Sequence, residues 1–107
     1  MNIETIMNYL FVQRAEGLSN QALADVFDRL IWCTADNGKA ICMVREKWLE
    51  GDSFEKCEIA LSMNETFPYE NISKMEDVFK SIISKWSYLK TKCDEIVKSR
   101  IEQDSHN

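Results

Sequence analysis

The chain has 107 residues, 45% of them hydrophobic and 29% charged, with only three glycines and one proline. That length suits one domain, and that composition excludes a disordered acidic tail or a loop-rich scaffold. Eighteen acids against thirteen bases leave a net charge of −5, the wrong sign for direct binding of nucleic acid or of an anionic membrane.

The partner expected on these grounds is a protein. The first residues mix Asn2, Glu4, Thr5 and Asn8 among the apolar ones, unlike a secretory signal, and no apolar run approaches the roughly 18 residues of a membrane span. A cytoplasmic location is therefore expected. The four cysteines, Cys33, Cys42, Cys57 and Cys93, form no compact ligand pair, so reduced thiols are expected, mostly in the core, with no disulfide and no metal site.

Taken in chain order, Ile3, Ile6, Met7, Leu10 and Phe11 recur at helical spacing and predict a first helix over about 3–15, with Gly17 as its C-terminal cap. Ser19 is a suitable N-cap for a second helix, whose stripe is Leu23, Val26, Phe27, Leu30 and Ile31. Asp36-Asn37-Gly38 is a turn signal that also suits a hairpin. Beyond it Ile41, Val44 and Trp48 step by three and four, predicting a helix over about 39–50. Gly51 ends that helix, and Asp52 or Ser53 caps a fourth carrying Phe54, Cys57 and Leu61.

The segment Asn64 to Ile72 holds the proline, Pro68, between Phe67 and Tyr69, and reads as an ordered loop packed by its aromatics. Ser73 and Glu76 then spell a capping box. Met75, Phe79, Ile82, Trp86, Leu89, Cys93 and Ile96 follow in alternate steps of four and three, with no glycine or proline from 74 to 103. One helix of about 30 residues, roughly 45 Å long, is permitted, with weaker helix formers near Ser87 and Thr91 where it would break. The expected fold is all-α: a single bundle-like domain over 1–102, about five helices with the last the longest, and a frayed tail at 103–107.

Glu16-Gly17-Leu18-Ser19-Asn20-Gln21-Ala22-Leu23-Ala24 resembles the first helix of helix-turn-helix DNA-binding domains. The resemblance covers this short stretch and implies a transcriptional regulator. In that family a small turn residue falls four after the Ala, where this chain has Asp28, and the following region offers only Lys39 and Arg45 for phosphates. Catalysis finds little to work with. The one histidine, His106, falls in the tail, and no metalloprotease, phosphate-loop or dinucleotide motif is present, so neither an enzyme nor a cofactor is expected.

Charge is distributed unevenly. Residues 1–43 carry −2, residues 44–77 carry −5 and residues 78–107 carry +2. Glu46, Glu50, Asp52, Glu55 and Glu58 surround the joint of the third and fourth helices, with Glu65 and Glu70 in the loop beyond. An ordinary solvated face is one reading. The other is an acidic docking surface that steers a basic partner, with Trp48 and Tyr69 as aromatic anchors. The function expected is that of a small acidic protein neutralising a basic protein, in the manner of immunity proteins and phage inhibitors, for instance against a nuclease toxin. One alternative is a helical oligomerisation or adaptor module using the seam at 75–96. The other is the helix-turn-helix regulator. A monomer is favoured over a homodimer, because Phe79 and Trp86 are bulky for a two-stranded seam.

Overall fold

A computed structural model describes residues 2–105; the expected roles of His106 and Asn107 lie outside the described residues. The protein is all-helical, with no strand among the described residues. Helix α1 spans Ile3–Gln13, α2 Asn20–Ile31, α3 Lys39–Glu50, α4 Phe54–Ser62, α5 Ile72–Lys85 and α6 Lys90–Ser105, with a 3-10 turn at Ser87–Leu89 between the last two. The chain forms two compact units that divide after Glu65.

In the first unit α2, α3 and α4 pack on one another and α1 packs on α3. Each entry is capped locally. Asn2 accepts from the Thr5 N–H at 2.9 Å, Ser19 from the Ala22 N–H at 3.0 Å, and Ser53 from the Lys56 N–H at 3.2 Å. The turn before α3 is a helix entry and not a hairpin. Asn37 and Gly38 adopt φ of 59° and 81°, and the Asp36 carboxylate accepts from the Gly38 and Ala40 N–H groups, both at 3.1 Å. Those bonds satisfy donors that the helix leaves without an internal acceptor. Gly17 is not the cap of α1, which ends at Arg14. It sits with φ of 85° in the turn that the Leu18 N–H closes on the Ala15 carbonyl. Helix α2 runs unbroken through Asp28, so the sharp turn of a helix-turn-helix does not form there.

The core of this unit gathers Met7, Leu23, Phe27, Ile31, Ile41, Val44, Leu49, Ile59 and Leu61 around Trp48. The indole meets Phe11 of α1 and Phe27 of α2 edge-on, with ring centroids 5.8 and 5.7 Å apart, the geometry that aromatic quadrupoles favour. Two charged residues are buried beside this core. Arg45 donates to the Ala60 carbonyl at 2.8 Å and to the Met63 carbonyl at 2.6 Å, taking up acceptors at the end of α4. Asp28 accepts from the Asn64 and Glu65 N–H groups just beyond. Cys57 is buried and Cys42 half-buried, whereas Cys33 is exposed; all are thiols.

The second unit is a helical hairpin under an ordered loop. The permitted helix of about 30 residues does not form. Trp86, at φ −138° and ψ 86°, leaves the helical region, and the 3-10 turn reverses the chain into α6. The reversal gives the stripe a partner in its own chain, one half of the seam packing against the other. Folded back, Met75, Phe79, Ile82, Leu89 and Cys93 are all buried, while the fourth position, Trp86, at the bend, and the last, Ile96, are half-exposed. Five of the seven seam positions on which an oligomerisation module would rely are thus buried. Helix α6 is the longest, as expected, and continues to Ser105, so residues 103–105 are helical. Its entry partner is also corrected: Asn71, and not Ser73, caps α5 by accepting from the Lys74 N–H at 2.8 Å.

Arg100, on α6, organises the loop. Its guanidinium donates to the carbonyls of Pro68 at 2.8 Å, Tyr69 at 3.2 Å and Glu70 at 3.1 Å, and lies 5.5 Å from the centre of the Phe67 ring. Tyr69 adopts φ of 66°, an uncommon value for a bulky residue, and these bonds from a buried cation hold it there.

Candidate partner-binding surface

The outer side of α3 and its joint with α4 carry the candidate surface. The stripe Ile41, Val44, Arg45, Trp48 and Leu49 turns inward, so Glu50 emerges on the opposite side, one turn beyond the half-buried Glu46. Gly51 then ends the helix, Asp52 is exposed in the connection, and Glu55 is exposed in the first turn of α4. A carboxylate there also complements the positive end of the α4 dipole.

Glu55 and Glu58 belong to a polar network that ties three elements together. Arg14, which caps α1, lies 3.5 Å from the Glu55 carboxylate and donates to Asn20 of α2. Asn20 in turn donates to Glu58 at 2.7 Å. Part of the negative charge on this side is therefore balanced by Arg14.

The bases of the same stretch are directed inward or towards α1. Arg45 is buried on its carbonyls. Lys47 reaches Glu4 at 3.1 Å, and Lys56 donates to Asn8 at 2.8 Å while lying 5.4 and 5.3 Å from the Phe11 and Trp48 ring centres. Lys47 and Lys56 thus turn towards α1, where Lys47 meets the Glu4 carboxylate, and Glu55 is held from the same side by Arg14.

Two of the expected anchors are withdrawn from the surface. Trp48 is only 5% exposed because its indole is the centre of the first unit's core. Tyr69 is 9% exposed in the second unit, beside Lys74, and Glu70, exposed there, contributes its carbonyl to Arg100. Glu65 is exposed at the end of the first unit, its backbone N–H directed to Asp28. The apolar residue that does accompany the acids is Met43, 58% exposed on the same outer side of α3 as Glu46 and Glu50. The inward stripe already implied it, since a residue across the helix from Ile41 and Val44 must face out. Trp32, 71% exposed where α2 ends, is a second exposed apolar side chain that spacing alone assigned to no face.

Ionisation at this unit is perturbed at two aspartates. Burial pushes the Asp28 carboxyl above its ordinary range, opposed by the two backbone N–H bonds and by Arg45. The Ala40 N–H, with help from the Thr34 hydroxyl and the Gly38 N–H, holds Asp36 below it. Among the described residues no three His, Cys, Asp or Glu side chains converge in a way that would hold a metal ion, and no helix is long and apolar enough to cross a membrane. In comparisons with known proteins, no family model, no curated protein and no solved structure matches the chain.

Proposed function

We propose that this protein binds and neutralises a basic protein, with the outer side of α3 and the α3–α4 joint as the docking surface. The observation that carries the reading is the balance of exposed charge around the α3–α4 joint: Arg45 is buried and Lys47 and Lys56 turn to residues of α1, while Glu50, Asp52 and Glu55 are exposed, with Met43 exposed on the same side of α3 as Glu50. Such a surface attracts a cationic partner over about a Debye length, and Met43 supplies apolar contact once the two meet. A nuclease or another nucleic-acid-binding protein, whose own substrate is polyanionic, presents the matching positive field. The role is binding and not catalysis.

The test is co-purification of the tagged protein with a stoichiometric basic protein, followed by titration of that pair in a salt series. Affinity is expected to fall roughly tenfold or more between low and about 0.3 M salt, and by a similar factor when Glu50, Asp52 and Glu55 are replaced together by Gln, Asn and Gln. An affinity indifferent to salt and to the triple replacement overturns the reading. Salt-dependent binding to duplex DNA in its place would favour the regulator.

A further inference from the structure

The α5–α6 hairpin buries its seam on one line and leaves a second apolar line open. Between the two helices runs a groove of about 510 Å³ with Phe79 and Cys93 as its floor and Ile83, Val97 and Ile101 along its sides. Ile101 is 49% exposed, and Ile83 and Val97 are half-exposed. Charged residues flank it, Glu76 and Lys80 on α5, and Asp94, Lys98 and, one turn further, Glu102 on α6.

We propose that this groove is where a second copy of the chain docks, the two hairpins forming a four-helix bundle. The occupant follows from the charges. The rim alternates in sign at one-turn intervals on both helices, so it offers no single-sign field to lipid headgroups or to a basic partner. It does complement itself. The hairpin is antiparallel, with the Met75 sulfur 3.5 Å from the Arg100 guanidinium at its open end. Lys80 and Asp94 therefore stand at nearly one height above the bend, and Glu76 and Lys98 at nearly another. A two-fold axis parallel to the helices keeps every residue at its height and sets α5 of one copy on α6 of the other. Glu76 then meets the second copy's Lys98, and Lys80 its Asp94, each contact occurring twice. Phe79, Ile83, Val97 and Ile101 close between them, and all neighbouring helices run antiparallel, as in up-and-down bundles. Asp94 already holds Lys90 at 2.6 Å, so the Glu76–Lys98 pair is the one that discriminates.

Sedimentation equilibrium of the full chain over a concentration series, with helix content followed by circular dichroism, tests this. The wild type is expected to dimerise. Ile101→Glu, at an exposed position, should weaken the dimer about tenfold or more with helix content retained. Glu76→Lys and Lys98→Glu should each weaken self-association by a comparable factor, and an equimolar mixture of the two should recover it, because the mixed dimer restores opposite charges at both contacts. A chain that stays monomeric up to about 1 mM, a dimer that Ile101→Glu leaves intact, or a mixture that recovers nothing overturns the proposal.

Discussion

Arg45 and Asp28 show how two buried charges can be tolerated when backbone groups take up their hydrogen bonds. The guanidinium collects the Ala60 and Met63 carbonyls, the carboxylate collects the Asn64 and Glu65 N–H groups, and together they hold the end of α4 and the stretch that follows it. Removing the donor leaves buried carbonyls unsatisfied, so Arg45→Leu is expected to cost about 3 kcal/mol in denaturant unfolding, and Arg45→Lys to recover only part, since an ammonium lacks the planar fork. Asp28 has the opposite pH signature to Asp36. Its folded pKa is raised above 3.8, so the stability it contributes is fully present below that value and lost as pH rises through the folded one. Asp28→Asn should flatten this part of the pH dependence while keeping an acceptor, and Asp28→Ala should destabilise by about 1–3 kcal/mol at neutral pH. Asp36, held low, contributes above 3.8 and loses its contribution as pH falls through its lowered value.

At the scale of elements, the punctuation between helices separates residues of the same type by what surrounds them. Gly38 and Gly17 both have positive φ, yet a Cβ on Gly38 would come within 2.6 Å of the Ile31 side chain, whereas one on Gly17 would meet nothing within 4 Å. Gly38→Ala is therefore expected to cost about 3 kcal/mol and Gly17→Ala about 1 kcal/mol, a difference visible in thermal unfolding. The start of α5 gives a second contrast. Asn71→Ala should lose about 1 kcal/mol through the lost bond to the Lys74 N–H, while Ser73→Ala, inside the first turn, should be close to neutral. The S-x-x-E pattern was a legible signal in the wrong frame: two caps two residues apart compete, and the loop that Arg100 pins delivers Asn71 and not Ser73 to the helix entry.

For the whole molecule, the net charge of −5 equals that of residues 44–77, the stretch that includes the α3–α4 joint. The sequence pI is about 4.9, so the net negative charge of the molecule shrinks as pH falls towards that value, and the attraction for a basic partner weakens with it. Binding of such a partner is expected to be strongest near neutral pH and to fall at least several-fold by about pH 5, measured by titration calorimetry at fixed salt.

The helices themselves were legible in the sequence. The apolar spacing of α1, α2 and α3 set the all-α class, and Ser19, with Ser53 as one of two candidates, marked the starts of α2 and α4, because a helix turn and its cap are settled by residues three or four apart; the end of α1, expected near residue 15, falls at Gln13. The acidic stretch at 46–58 was legible too, since charge is a property of composition. What the tertiary structure alone decided involves longer separations. The carbonyls at Ala60 and Met63 find Arg45 fifteen and eighteen residues away, and that of Pro68 finds Arg100 thirty-two residues away. The burial of Trp48 depends on rings from α1 and α2, which turned an expected surface anchor into a core residue. The break at Trp86 likewise packs one half of the seam against the other. An even run of steps of four and three describes a straight helix and a folded hairpin equally well, and only the contact of its two halves distinguishes them.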